Sequence, residues 1–217
     1  MKYLIAIVLL IPIFLFSQEI NTFIDLRDSI VYKTVKIGEQ VWMAENLRAS
    51  IFVSGDSIPE LKTNKEWRKG RWSPAWSSYK NDPENGLKYG YFYTRAAVFN
   101  GQLCPVGWRV PYYNDVIELQ NYLGGETVAG SKMKSTSGWK KYNERNTNSS
   151  GFTALPSGER IFSGGFKLIS KYTNFWTKTR NSQLHAVYLY GLWDDKKGLR
   201  LSPWRPDGGW CVRCIKE

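Results

Sequence analysis

Three cysteines, one histidine and ten tryptophans are the residues of this 217-residue chain whose types suit chemistry. Cys211-Val212-Arg213-Cys214 has the spacing of a redox or copper site. On one strand, however, side chains three apart point to opposite faces, and a dithiol of this spacing ordinarily sits at a helix start. A structural bond plus one spare thiol is therefore the favoured reading, since three cysteines cannot all pair within a chain. His185 stands alone before the apolar run Ala186 to Tyr190 and reads as a strand-edge residue rather than a base. Gly-x-Ser-x-Gly and phosphate-cradling loops are absent, and Ser157-Gly158 and Ser163-Gly164-Gly165 read as turns. No catalytic constellation emerges, so a non-enzyme is expected.

Soft ligands are too few for a zinc site. Calcium needs six to eight oxygens, several from carboxylates. The nearest string, Trp193-Asp194-Asp195, runs straight into Lys196-Lys197, whose charges oppose a cation. Asp25 with Asp28 and Asp82 with Glu84 are weaker still. No metal site and no cofactor are expected, and calcium has no motif to support it.

Aromatic residues are the more persuasive binding feature, because sugar rings present C–H faces that pack on flat indole and phenol rings. Trp67, Trp72, Trp76 and Tyr79 lie in a long, loop-like stretch, while Trp193, Trp204 and Trp210 flank the C-terminal loops. Packing beneath those loops is the competing role for each. Lys62, Lys65, Arg68, Lys69 and Arg71 form a basic run around Trp67 and Trp72, interrupted by Glu66. Lysine and arginine number 30 against 19 acidic residues, a formal charge of +11. Basic residues interleaved with aromatics can suit nucleic acid. Export points instead to anionic glycans or lipopolysaccharide phosphates as acidic partners, but a solvated basic loop is the favoured reading of the run.

Met1-Lys2-Tyr3 precedes the uncharged run Leu4 to Phe16, after which polar residues follow. This pattern reads as a signal peptide over residues 1–17, cleaved after Ser17, leaving one domain over 18–217. As a helix the apolar run rises only about 20 Å, short of the ~30 Å hydrocarbon core, so no permanent membrane span is expected in the mature chain.

The elements that must position these residues are short. Ile30 to Ile37 and Gln40 to Met43 read as a β-hairpin turning at Gly38-Glu39. Residues 54–90 read as mostly loop, and Tyr91 to Phe99 as a short helix. After Pro111 comes the clearest helix, capped by Asn114, with Val116, Leu119, Tyr122 and Leu123 on one apolar face and Gly124-Gly125 at its end. Thr127 to Lys134 is expected to add a further turn or two. Short strands are expected at Gly151 to Leu155, Phe166 to Ser170, Phe175 to Thr177, Ala186 to Tyr190, Leu199 to Leu201 and Cys211 to Ile215. Short helices followed by late, short strands indicate an α+β fold.

Five segments, in order, resemble the Fibrobacter succinogenes major paralogous domain. They are Tyr32 to Leu47 (YKTVKIGEQVWMAENL), Tyr89 to Tyr93 (YGYFY), Leu103 to Pro111 (LCPVGWRVP), Ser150 to Gly158 (SGFTALPSG) and Val212 to Ile215 (VRCI). The resemblance implies an exported bacterial protein, mostly of Bacteroidetes and Fibrobacteres. It also implies a fold similar to C-type lectins and to formylglycine-generating factors, but no established reaction. On that likeness the turn before the helix is tied to the last strand, pairing Cys104 with Cys214. Trp42, Trp108 and Trp176 fall inside or beside such motifs and are expected in the core. The lectin sugar-binding strings Glu-Pro-Asn, Gln-Pro-Asp and Trp-Asn-Asp are missing. Where this chain has Tyr112-Tyr113, relatives often carry a capping Thr-Asp.

The expected function is thus an exported, non-enzymatic binding module for glycan or cell-envelope protein, with no nucleic-acid partner. Trp67, Trp72, Trp76, Tyr79, Trp193 and Trp204 are its candidate contacts. A structural or adhesive envelope component is the alternative, followed by a relative of the formylglycine-generating oxidases using Cys211. Periplasm, cell surface and medium all remain open as destinations.

Overall fold

The computed structural model describes residues 20–141 and 143–217; the expected signal peptide lies outside them. Among these described residues there are twelve strands: β1 (Ile20–Asp25), β2 (Ile30–Ile37), β3 (Gln40–Met43), β4 (Trp76–Ser77), β5 (Phe92–Tyr93), β6 (Trp108–Arg109), β7 (Glu159–Arg160), β8 (Phe166–Lys167), β9 (Tyr172–Asn181), β10 (Ala186–Trp193), β11 (Arg200–Trp204) and β12 (Ile215–Lys216). Five helices interrupt them: α1 (Asn64–Gly70), α2 (Pro83–Tyr89), α3 (Arg95–Phe99), α4 (Tyr113–Tyr122) and α5 (Ala129–Met133). One antiparallel sheet has the order β1-β2-β3-β12-β6, another β11-β10-β9, and β4-β5 and β7-β8 form two small ribbons. This is an α+β architecture.

The β2–β3 hairpin forms as expected, with Ile37 opposite Gln40. Gly38 adopts φ +62°, and a Cβ there would come within 2.9 Å of the Tyr122 ring. That ring lies over the turn and is otherwise exposed, so Tyr122 is not on the buried stripe of α4; Val116, Leu119 and Leu123 are. Asn114 does not cap α4. The Asp115 carboxylate instead accepts from the Tyr112 backbone N–H at 2.6 Å and holds the Arg109 guanidinium at 2.6 and 2.9 Å. This places negative charge in the first helical turn, where the backbone donors are unpaired.

Four further expectations differ from the structure. Residues 54–90 hold two short helices, and the expected Tyr91–Phe99 helix is split into strand β5 and helix α3. Thr63 and Glu66 form a capping box at the start of α1, and Asp82 caps α2 with Pro83 in its first turn; both devices satisfy orphan donors at a helix start. Gly151 to Leu155 is not a strand: Thr153 has φ +53°, and the Phe152 and Thr153 carbonyls accept from Arg213. Of Cys211 to Ile215 only Ile215 enters a strand, because the Cys211, Val212 and Cys214 carbonyls serve Trp176, Leu47 and Met43 in turn.

Trp42, Trp108 and Trp176 are core residues, as expected. The Cys104–Cys214 disulfide closes a separation of 110 residues. It lies beside the pairing of β12 with β6, so the covalent tie and the sheet hydrogen bonds act on the same segment.

A second tie is a buried ammonium. Lys134 Nζ, just past α5, donates to the carbonyls of Trp193 and Lys196 at 2.9 and 2.6 Å. The Trp193-Asp194-Asp195 turn thus directs backbone oxygens at a lysine cation. Burial pulls the Lys134 pKa down from 10.5 to about 8, with Asp194 and Asp195 opposing the shift. Between those two values the unfolded chain holds a proton that the fold releases, so stability rises with pH. Stability measured by urea denaturation is expected to climb from pH 8 towards 9, outweighing an opposing fall from Cys211, whose thiol ordinarily ionises near 9.0 but stays protonated in the fold. Lys134→Met should remove that climb; parallel curves for the two proteins would contradict the assignment.

Candidate functional site

The six candidate aromatic residues separate by position. Trp67 faces inward from α1 and is fully buried, with the Arg160 guanidinium 4.5 Å from its ring centre. Tyr79 is buried between Phe92 and Phe166. Trp76 is half-buried, stacked on Tyr91 at 3.9 Å, and its indole N–H donates to the Ile58 carbonyl. None of these three lines the groove described next. Trp193 packs on Tyr172 at 4.2 Å and borders a recess of about 570 Å³ with Glu126, Lys196, Lys197 and Arg200.

Trp72 and Trp204 come together. They line a groove of about 400 Å³ with Phe162 and, deeper, Trp210. Trp72 is 51% exposed and Phe162 58%, a large apolar outlay for two neighbouring rings unless something covers them. The polar members are Arg71, Glu159, Arg205 and Asp207. Glu159 and Asp207 offer acceptors and the two arginines offer donors, the complement that fixes hydroxyl orientation.

Local chemistry explains how segments so distant in sequence meet. The Arg160 guanidinium donates to the carbonyls of Leu61, Lys62, Thr63 and Gly164. It thereby ties the start of α1 to the β7–β8 ribbon, bringing Trp72 beside Phe162. The Arg160 and Gly209 backbones exchange hydrogen bonds at 3.1 and 2.7 Å, setting the Gly208-Gly209-Trp210 segment along β7. A Cβ on Gly209 would lie 2.6 Å from the Trp67 ring, so this approach requires glycine. Burial draws the Arg160 pKa down to about 10, which leaves it charged at neutral pH.

Several side chains of the groove are already oriented. The Trp210 indole N–H donates to Glu159 at 2.9 Å, and that of Trp204 to the Ser202 hydroxyl at 2.9 Å. Burial raises the Glu159 pKa above the usual carboxylate value. Arg205 and Asp207 pair at 3.5 Å. The Arg71 and Arg95 guanidinium groups lie 5.0 and 5.9 Å from the Trp72 ring centre, within cation–π reach. Phe162, Glu159, Arg205 and Asp207 were missed in the sequence. Phe162 had a readable signal, a lone aromatic beside the Ser163-Gly164-Gly165 turn.

The chemistry-bearing residues weighed from sequence fall elsewhere. Cys211 is buried, and its thiol contacts the Ser157 hydroxyl at 3.4 Å and the Tyr89 carbonyl at 3.6 Å. Burial pushes that thiol up to about 11, so it stays protonated at neutral pH. His185 is exposed in the β9–β10 turn with φ +48°, rather than at a strand edge. Asp25 is engaged by Arg27 through two oxygens, at 2.9 and 2.6 Å. Among the described residues no three His, Cys, Asp or Glu side chains group as a metal-ligand set, and no helix is long and apolar enough to cross a membrane.

No curated protein and no solved structure matches the chain. The family model of the Fibrobacter succinogenes major domain matches residues 35–216, which include the disulfide, both buried arginines and every residue of the groove. The protein therefore belongs to the Fibrobacter succinogenes major domain family.

Proposed function

We propose that this protein is an exported, non-enzymatic binding module that recognises glycan at the cell envelope through the Trp72–Phe162–Trp204 groove. The carrying observation is the convergence of three partly exposed rings with paired donors and acceptors in one groove of about 400 Å³. That size accepts a short stretch of saccharide, since small-ligand sites run from about 300 to 1,000 Å³. Export is supported by the leader-like pattern of residues 1–17 and by the Cys104–Cys214 disulfide, which suits an oxidising compartment.

A panel of capsular, lipopolysaccharide and plant-wall glycans tests the reading. A ligand that binds the wild type is expected to bind Trp72→Ala and Trp204→Ala about tenfold more weakly each, the scale of one lost ring contact. The thermal midpoint of Trp72→Ala should stay near the wild-type value, because that ring is exposed; Trp204 packs partly buried against the core, so its variant is compared with the wild type only while it remains folded. Binding left intact in both variants, or no binding across the panel, would overturn the proposal.

A further inference from the structure

A second recess, separate from the aromatic groove in its lining, is built around positive charge. It encloses about 220 Å³ and is bordered by Lys33, Glu45, Asn46, Arg48, Lys88 and Arg213. Four of these are cations and one is an acid. The acid, Glu45, accepts the Lys33 backbone N–H at 2.7 Å and keeps its negative charge, so the four cations leave an excess of positive charge at the recess.

The deepest cation is Arg213, 1% exposed. Its Nε donates to Asn46 Oδ1 at 2.6 Å, its Nη1 to the Met43 and Phe152 carbonyls, and its Nη2 to the Thr153 carbonyl at 3.0 Å. A guanidinium has five N–H donors. Four are engaged here by neutral acceptors, which satisfy hydrogen bonds but leave the net charge in place. Among the described residues none of Lys33, Arg48, Lys88 and Arg213 pairs with a carboxylate within 4.0 Å.

Arg48 borders the same recess. Its Nη1 donates to the Leu87 carbonyl at 2.9 Å, and its guanidinium lies 5.4 Å from the Tyr32 ring centre, contacts that hold it in place without neutralising it. Arg160, which also binds carbonyls, does not border this recess.

We infer that this recess binds a phosphate or sulfate group, either as the free anion or carried on a saccharide. Arginine forks match tetrahedral oxyanions through paired, charge-assisted bonds. The volume lies below that of a whole small-molecule site, which fits one substituent rather than an entire ligand. Lys33 and Lys88, on the exposed rim, would close over the outer oxygens.

Calorimetric titration at fixed ionic strength with inorganic phosphate, inorganic sulfate, glucose 6-phosphate and glucose tests this. Saturable binding of phosphate or sulfate, or of glucose 6-phosphate but not glucose, is expected. A tighter response to glucose 6-phosphate identifies a carried group; an equal response identifies the free anion. Arg48→Gln and Lys88→Gln should each weaken binding about tenfold, and the exposed Lys88 gives a variant whose fold is not in question. Absence of saturable binding by all three anions would overturn the inference. So would equal affinity in the wild type and both variants, which marks adventitious anion association only. The aromatic groove is untouched by either variant, so its reading stands or falls separately.

Discussion

Replacing Cys104 and Cys214 together with serine is expected to lower stability by about 4–5 kcal/mol. The bond closes a loop of 110 residues, and loops near that length remove this much unfolded-state freedom on the chain-entropy model. For domains whose total stability is about 5–15 kcal/mol, the loss is a third or more. The same bond holds β12 between β3 and β6, where only Ile215 and Lys216 supply pairing. Urea denaturation of the oxidised wild type against the double-serine variant measures the effect. A difference below about 1 kcal/mol would show that the sheet needs no covalent tie.

Arg213→Met is expected to cost upwards of about 3 kcal/mol. Methionine retains much of the stem volume but leaves Asn46 Oδ1 and the Met43, Phe152 and Thr153 carbonyls without their donor. Each buried acceptor so abandoned carries a penalty of about 1–3 kcal/mol, not fully additive. The Phe152 ring, 4.4 Å from the guanidinium, loses its cation as well. Arg213→Lys keeps the charge but cannot fork to acceptors on three sides, so it should recover only part of the loss. Gly90, at φ +76° and 2.4 Å from Asn46 measured at its missing Cβ, belongs to the same arrangement. A wild-type denaturation midpoint for Arg213→Met would contradict this role.

These two ties also explain how far the fold was legible. The β2–β3 hairpin carries its own signals, a β-branched run and Gly38, so local sequence suffices. The α4 stripe is equally local, although its cap is not: Asp115 is held by Arg109, a contact that depends on the loop around Pro111. The starts of α1 and α2 carry readable signals, Thr63 with Glu66 and Asp82-Pro83, inside a stretch read as mostly loop. By contrast, the failure of Gly151 to Leu155 to form a strand has one local cause, the Asn148 side chain bound to the Thr153 N–H and hydroxyl, and one distant cause. Its carbonyls are captured by Arg213, which follows much later in the chain, and apolar alternation gives no hint of such capture.

The site was legible in kind and not in arrangement. Aromatic residues in loop-rich stretches marked Trp72 and Trp204 as candidates. Nothing in composition separates Trp67 from Trp72; the helical turn of α1 does, carrying Trp67 inward beneath Arg160 while Trp72 falls beyond the helix end. Convergence of Trp72, Phe162 and Trp204 depends on Arg160 binding the carbonyls of residues 61 to 63. The disulfide came from likeness to a family rather than from spacing.

A glycan that binds as proposed settles on the rings of this one groove. Ten tryptophans give ten indole N–H signals in a proton–nitrogen correlation spectrum, each a reporter at a known place. On titration with a bound glycan, the Trp72 and Trp204 signals should move first and furthest, while those of Trp42 and Trp176, deep in the core, stay still. Binding that moves the Trp193 signal and leaves Trp72 and Trp204 in place would contradict the claim.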